Sequence, residues 1–233
     1  MAEPKKELKS SQVYAALKEM IADYRFRPGV RVNVEKLVRE LGVSRVPVWE
    51  AIRRLEQEGL LETIPNRGVF MVEMTLEKAF ELFQVRAALE RLAGRLAAGN
   101  PDKRTLEKME RTLSEQTEVV KRGDLIAYSR LDYEFHSFIY RLSGNSVLQE
   151  MLEAVKTRMQ PISLQIMPIL LNLYQDHKAI LEALRAGSPD RVEKAFSSHY
   201  RRVLSQILCE LEKMGERKRQ ARKFQKSLAH FHA

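Results

Sequence analysis

Residues 44–68, SRVPVWEAIRRLEQEGLLETIPNRG, join a short amphipathic segment, a glycine stop and a turn-rich alternating stretch. Val48, Ile52 and Leu55 recur at i, i+4 and i+7, so on a helix they share one stripe that must face a core. The opposite stripe carries Arg45, Trp49 and Arg53. The helix is expected to run from Val46 or Pro47 to Glu58, with Gly59 as its stop. Pro47 suits the first helical position, which leaves Val46 as a weak N-cap. Upstream, Val34 to Leu41 reads as a shorter helix with Leu37, Val38 and Leu41 inward and Gly42 as its left-handed terminator. A short helix, a tight turn through Gly42, Val43 and Ser44, and a second helix whose first turns are basic and outward is the layout of a helix-turn-helix. The candidate DNA contacts on its outward stripe are Arg45, Trp49 and Arg53, where guanidiniums would meet guanine edges or phosphates. Leu61 to Ile64 and Val69 to Glu73 read as strands around Pro65-Asn66-Arg67-Gly68. As a wing, this hairpin would set Arg67 and the bare backbone of Gly68 against a minor groove or a phosphate; an ordinary surface hairpin is the competing reading.

Working outward, residues 10–25 keep helical spacing through Val13, Leu17, Met20 and Ile21, and Arg27-Pro28-Gly29 forms a loop. From Thr75 the pattern changes to long amphipathic helices, expected at about 76–98, 101–122, 125–142, 146–166, 172–186 and 190–215. Asn100-Pro101-Asp102 and Ser188-Pro189-Asp190 each supply a cap, a first-position proline and an acid in the first turn. Gly123-Asp124 and Ser143-Gly144-Asn145 each stop one helix and cap the next. Pro161 and Pro168 should kink or split the fourth, which would give a seventh. The predicted architecture is mainly α: a winged helix-turn-helix over 1–74, an all-α antiparallel bundle of six or seven helices over 75–215, and a basic tail over 216–233.

The charge balance adds less than its size suggests. The chain carries +9, which favours an anionic partner. However, residues 216–233 hold six Lys or Arg against one acid, so more than half of the surplus sits in the tail. That run reads either as a solvated segment or as a nucleic-acid contact. The helix-turn-helix must therefore stand on its pattern. No apolar run approaches the roughly 20 residues of a membrane span, and the first dozen residues are polar. A single cysteine, Cys209, excludes an internal disulfide and suits a reducing cytoplasm. A cytoplasmic protein with no membrane partner is expected.

Three histidines fall on inward stripes. His136 lies one turn after Asp132, with Phe135 and Ile139 nearby; His177 precedes Ile180, Leu181 and Leu184; His199 shares its face with Val192, Ala195, Phe196 and Val203. A carboxylate on an apolar wall is costly unless something offsets its desolvation. A divalent ion does so, and imidazoles with one carboxylate suit zinc or nickel. The alternative is a set of hydrogen-bonded core histidines with Asp132 paired to Arg130 or Arg158. The His230 and His232 pair in the tail reads as incidental.

Four stretches carry a family resemblance. GVSRVPVWEAIRRLEQEGLLETIPNRGVFM (42–71) resembles the winged helix-turn-helix of the GntR family of bacterial transcription regulators. LFQVRAALERLAGRLAA (82–98), LDYEFHSFIYRLSGN (131–145) and DHKAILEALRAGSPDRVEKAFSSHYRRV (176–203) resemble the helical FCD effector domain of its FadR branch. Six helices there would be similar to the VanR-type subgroup, a seventh to the FadR type. The resemblance implies a homodimer on a palindromic double-stranded DNA operator and a metal held by Asp132, His136, His177 and His199. It also implies small organic carboxylate effectors, with Arg86 as their counter-charge or, alternatively, as the ion-pair partner of Glu90. The resemblance also implies that Ser44 and Val46 join the DNA contacts, and two positions that touch DNA in relatives depart from the family's pattern: Val46 where it has Thr and Trp49 where it has Arg. An altered operator is expected, with Trp49 offering apolar contact, for instance to a thymine methyl. The function expected is a ligand-responsive transcriptional regulator rather than an enzyme. The alternatives are a metal-dependent enzyme that activates water at the Asp/His site and a non-specific nucleic-acid-binding protein driven by the tail.

Overall fold

Val13, Leu17 and Ile21, spaced four apart, are fully inward on the first helix, α1 (Pro4–Ala22). The computed structural model describes the backbone of residues 4–100 and 102–213, and their side chains except at 4–9, 164, 169 and 172. Pro101, the basic tail and His230 and His232 lie outside the described residues.

After α1 come a two-residue strand β1 (Arg31–Val32), α2 (Val34–Leu41) and α3 (Arg45–Gln57). Asn33 caps α2 by accepting from the Lys36 amide, and Gly42 ends it in the left-handed region at φ 63°, where an L side chain would be strained. The start of α3 differs from the expectation. Ser44, extended at φ −72° and ψ 169°, is the N-cap, so Val46 and Pro47 already lie inside the helix. Pro47 remains compatible because the amides of the whole first turn have no intrahelical partner.

Strands β2 (Leu61–Ile64) and β3 (Gly68–Met71) form the hairpin; β2 has the expected bounds, and β3 begins one residue and ends two residues earlier than the alternation suggested. The strand β1 lay hidden in the sequence. It pairs antiparallel with β3 (Arg31 opposite Phe70, Val32 opposite Val69), giving a three-stranded sheet in the order β1-β3-β2. Val48, Ala51, Ile52 and Leu55 of α3 pack with Leu37, Leu60, Val69 and Met71 into one buried cluster with the α1 stripe.

The remainder is helical: α4 (Leu76–Ala98), α5 (Lys103–Lys121), α6 (Leu125–Leu142), α7 (Ser146–Leu170), a 3-10 turn (Leu171–Leu173), α8 (Tyr174–Arg185) and α9 (Pro189–Lys213). Thr75, Asp102, Asp124 and Asn145 each accept a backbone amide at the start of their helices. These caps account for the sharp boundaries, since each satisfies an otherwise orphaned donor. Pro161 and Pro168 do not split α7, which continues to Leu170. Burial of Met159, Ile162, Ile166 and Met167 offsets the one backbone bond that each proline removes. Close approach of α4 and α9 depends on Gly94, where an added Cβ would lie 2.6–2.8 Å from Phe196 and Val192. Backbone contacts divide the chain between Met74 and Thr75, with Thr157–Ile162 grouped with the N-terminal unit. Among the described residues, no helix is long and apolar enough to cross a membrane.

Candidate DNA interface and candidate metal centre

The N-terminal unit presents its candidate residues outward. On α3, Val46 is 50% exposed and Trp49 37% exposed, and Arg45 and Arg53 are exposed alongside. Arg45 reaches Glu35 of α2 at 3.1 Å. In so open a setting the pair contributes little, so a phosphate or base edge could displace it. At the wing, Asn66 adopts φ 60° and Gly68 φ 105°. The Arg31 guanidinium passes over Gly68, 2.9 Å from where a Cβ would be, so a side chain there would push this arginine aside as well as strain the backbone. Arg67 lies over the Phe70 ring at 5.5 Å. Arg31 is thus a further basic residue at the wing that the sequence reading missed, because a two-residue strand leaves no periodic trace.

Inside the helical unit, α6, α8 and α9 bring His136, His177 and His199 together. Each has a nitrogen within 4.8 Å of one on the others, and all three rings are buried. Asp132 joins them: its Oδ1 lies 3.7 Å from His136 Nε2 and 3.6 Å from His177 Nε2. Both of those Nε2 atoms are buried and have no hydrogen-bond partner among the described residues. Unpaired buried nitrogens are costly, and facing a carboxylate across 3.6 Å is what a ligand set for a divalent cation requires. The three imidazoles form the set in mutual reach, Asp132 stands against two of them, and these side chains are of the kinds that the group implied by the resemblance takes.

The opposite ring nitrogens are fixed from outside. His199 Nδ1 is 3.2 Å from Asp176 Oδ2, and Asp176 is held in turn by Arg202. His177 Nδ1 is 3.1 Å from Gln116 Oε1. Acceptors at Nδ1 keep the proton there and leave Nε2 as the free base. His136 Nδ1 lies 2.8 Å from Glu90 Oε2, close but off the hydrogen-bonding direction. Burial drives the His136 imidazole down to about 4 against the opposing pull of Glu90. Burial, reinforced by His136, also lowers His177 well below its ordinary value. Neutral imidazole is the ligating form. Burial would raise the Asp132 carboxyl, but His136, Lys156 and His177 together hold it below its usual range.

Glu90, fully buried, is the hub beneath this cluster. It accepts from Arg86 Nε at 2.8 Å, from the Tyr200 hydroxyl at 2.6 Å and from the Tyr140 hydroxyl. Its four charged or polar neighbours keep the carboxyl ionised despite burial, chiefly through Arg86 and His136. The two readings of Arg86 thus meet in one residue. Its Nε pairs with Glu90, while its buried Nη2 has no partner among the described residues. Arg86 also lines a cavity of about 30 Å³ together with Asp132, His136 and His199, closed by Phe83, Leu170 and Leu173 among others.

The chain matches the model of the gntR family of bacterial regulatory proteins over residues 9–71 and that of the FCD domain over residues 81–202. It is 32% identical to the uncharacterized HTH-type transcriptional regulator YdhC of Bacillus subtilis, over 72% of this chain and 73% of that one. It is 37% identical to the Nta operon transcriptional regulator of Aminobacter aminovorans, over 59% of this chain and 64% of that one. Its fold is similar to that of E. coli McbR/YncC, with a TM-score of 0.76 at 23% identity over 90% of this chain and 99% of the other.

Proposed function

This chain belongs to the gntR family of DNA-binding transcriptional regulators and carries an FCD domain, and from that premise we propose that it is a metal-assisted, carboxylate-responsive regulator acting as a homodimer on a palindromic operator. The observation that carries the effector half is the pair of unpartnered Nε2 atoms on His136 and His177 facing Asp132 beside a cavity that Arg86 also lines. Asp132, His136, His177 and His199 would hold a divalent ion, zinc or nickel by ligand type. When bound, that ion supplies Lewis acidity and open coordination positions for an anionic oxygen. Arg86 brings a guanidinium donor with no other partner, suited to a carboxylate. Phe83, Leu170 and Leu173 give the cavity an apolar wall, which suits the short carbon chain of a small carboxylate.

Pairing of two copies is supported by the outer face of α4. Leu82, Val85, Leu89, Leu92 and Leu96 alternate at spacings of three and four, and Val85, Leu92 and Leu96 are 40–49% exposed. That is a coiled-coil-like seam, which water alone leaves poorly covered. Two copies would present two α3 helices to successive major-groove segments, as half-site readers do. An effector changes operator affinity only if it binds the DNA-competent and incompetent arrangements unequally. Among the described residues the C-terminal unit has six α-helices, the count that the resemblance ties to the VanR-type subgroup.

The test is a melting-temperature screen of small mono- and dicarboxylates on metal-loaded protein, followed by operator titration with each hit. A hit should raise the melting temperature and shift operator affinity at least about fivefold. A ligand that stabilises the protein and leaves operator affinity unchanged would contradict the regulatory reading.

A further inference from the structure

We infer that Lys156 is an internal competitor for the Asp132 carboxylate, so that this lysine tunes how tightly the site holds a metal. The inference rests on the metal reading proposed above and adds a residue that no ligand set includes. Lys156 sits on α7 with its side chain 6% exposed, and its Nζ is buried without a hydrogen-bond partner among the described residues. Its nearby carboxylate is Asp132, whose Oδ2 is 3.9 Å away, and it lies over the Tyr133 ring at 4.2 Å.

The Asp132 carboxylate is therefore shared between two sides. Oδ1 faces the imidazoles of His136 and His177, while Oδ2 faces the ammonium. A buried ammonium is expensive unless a counter-charge stays close. A divalent ion drawing on the same carboxylate would weaken the lysine's pairing with Asp132 and repel its charge. Each cation thus opposes the other, and the ring of Tyr133 gives the ammonium a face to rest on when Asp132 is engaged elsewhere. A lysine so placed keeps the site from trapping its ion irreversibly and keeps the local charge positive for an anionic effector.

The experiment uses full-length protein stripped by chelation. Zinc and nickel affinities are measured by competition with a chromophoric chelator for the wild type, Lys156→Met and Lys156→Arg. Circular dichroism establishes that each variant is folded, and Lys156→Gln replaces Lys156→Met should the latter not fold. Removing the charge should tighten metal binding at least about tenfold, while Lys156→Arg should stay within about threefold of the wild type. Affinity in Lys156→Met equal to or weaker than that of the wild type would overturn the inference alone. Failure of every protein to bind either ion would overturn the metal reading, and this inference with it.

Discussion

Two arginine–glutamate pairs separate the two halves of this molecule. Arg45–Glu35 in the N-terminal unit is 3.1 Å long with side chains 70% and 57% exposed. Arg86–Glu90 in the helical unit is 2.8 Å long with side chains 7% and 0% exposed. The first costs little to break, which leaves Arg45 available to a phosphate or a base. The second cannot be broken cheaply, because each partner would leave a bare charge in a dry interior. Polar side chains at the candidate DNA interface are therefore poised by exposure, whereas those around the histidines are poised by confinement, and the atoms that confinement leaves unpaired indicate what should bind.

The comparison can be broken most forcefully at its buried end. Glu90→Ala strands the Arg86 guanidinium and removes the acceptor of Tyr140 and Tyr200. Urea unfolding of the metal-free protein should lose about 3–5 kcal/mol, whereas Glu35→Ala should lose less than about 1 kcal/mol. Similar losses at the two sites would contradict the contrast.

Acidification probes the same confinement. His136 has its pKa lowered to about 4 by burial, against about 6.5 in the unfolded chain. A depressed histidine pKa means that the unfolded state binds the proton first. Its contribution is therefore intact above pH 6.5 and is lost as pH falls from 6.5 to 4. His177 adds in the same direction. Chelator-treated protein should lose about 3 kcal/mol over that window from His136 alone, most of it above about pH 5, where the carboxylates are still ionised in both states. A flat stability profile between pH 6.5 and 4 would show that the imidazoles are not shielded.

At the α4–α9 contact, Gly94→Ala forces the Phe196 ring and Val192 aside. A loss of about 1–3 kcal/mol is expected in thermal melts, with unchanged affinity for any operator once folded. The smallest effect concerns the open surface. Trp49→Arg should alter the sequence selected from a randomised duplex pool, with discrimination of about 1–3 kcal/mol at the position contacted, and leave stability within about 0.5 kcal/mol. An unchanged preferred sequence would remove Trp49 from the reading face.

Much of this was legible in the chain. Spacings of three and four residues located the inner stripes of α1, α2, α3, α6, α8 and α9, and glycines and capping acids located most helix ends. The Asp132–His136 pair lies on one helix, so periodicity brings it together; His177 and His199 needed the family resemblance, since packing between helices leaves no local trace. The surrounding set was less visible. Gln116 stands on the buried stripe of Met109, Thr112 and Val119, and Glu90 among the inward alanines of α4. A polar residue on an apolar stripe was the available signal in both cases. Lys156, Asp176 and Arg31 offered none, because their roles come from neighbours far away in sequence. The start of α3 was misplaced because Pro47 suits the first helical position so well that it masked Ser44.

The most direct test is metal stoichiometry by elemental analysis on the purified full-length protein beside an Asp132→Ala, His177→Ala double variant. The account predicts about one zinc or nickel ion per wild-type chain after metal loading and desalting, and close to none in a folded double variant. Equal metal content in the two, or none in the loaded wild type, would contradict it.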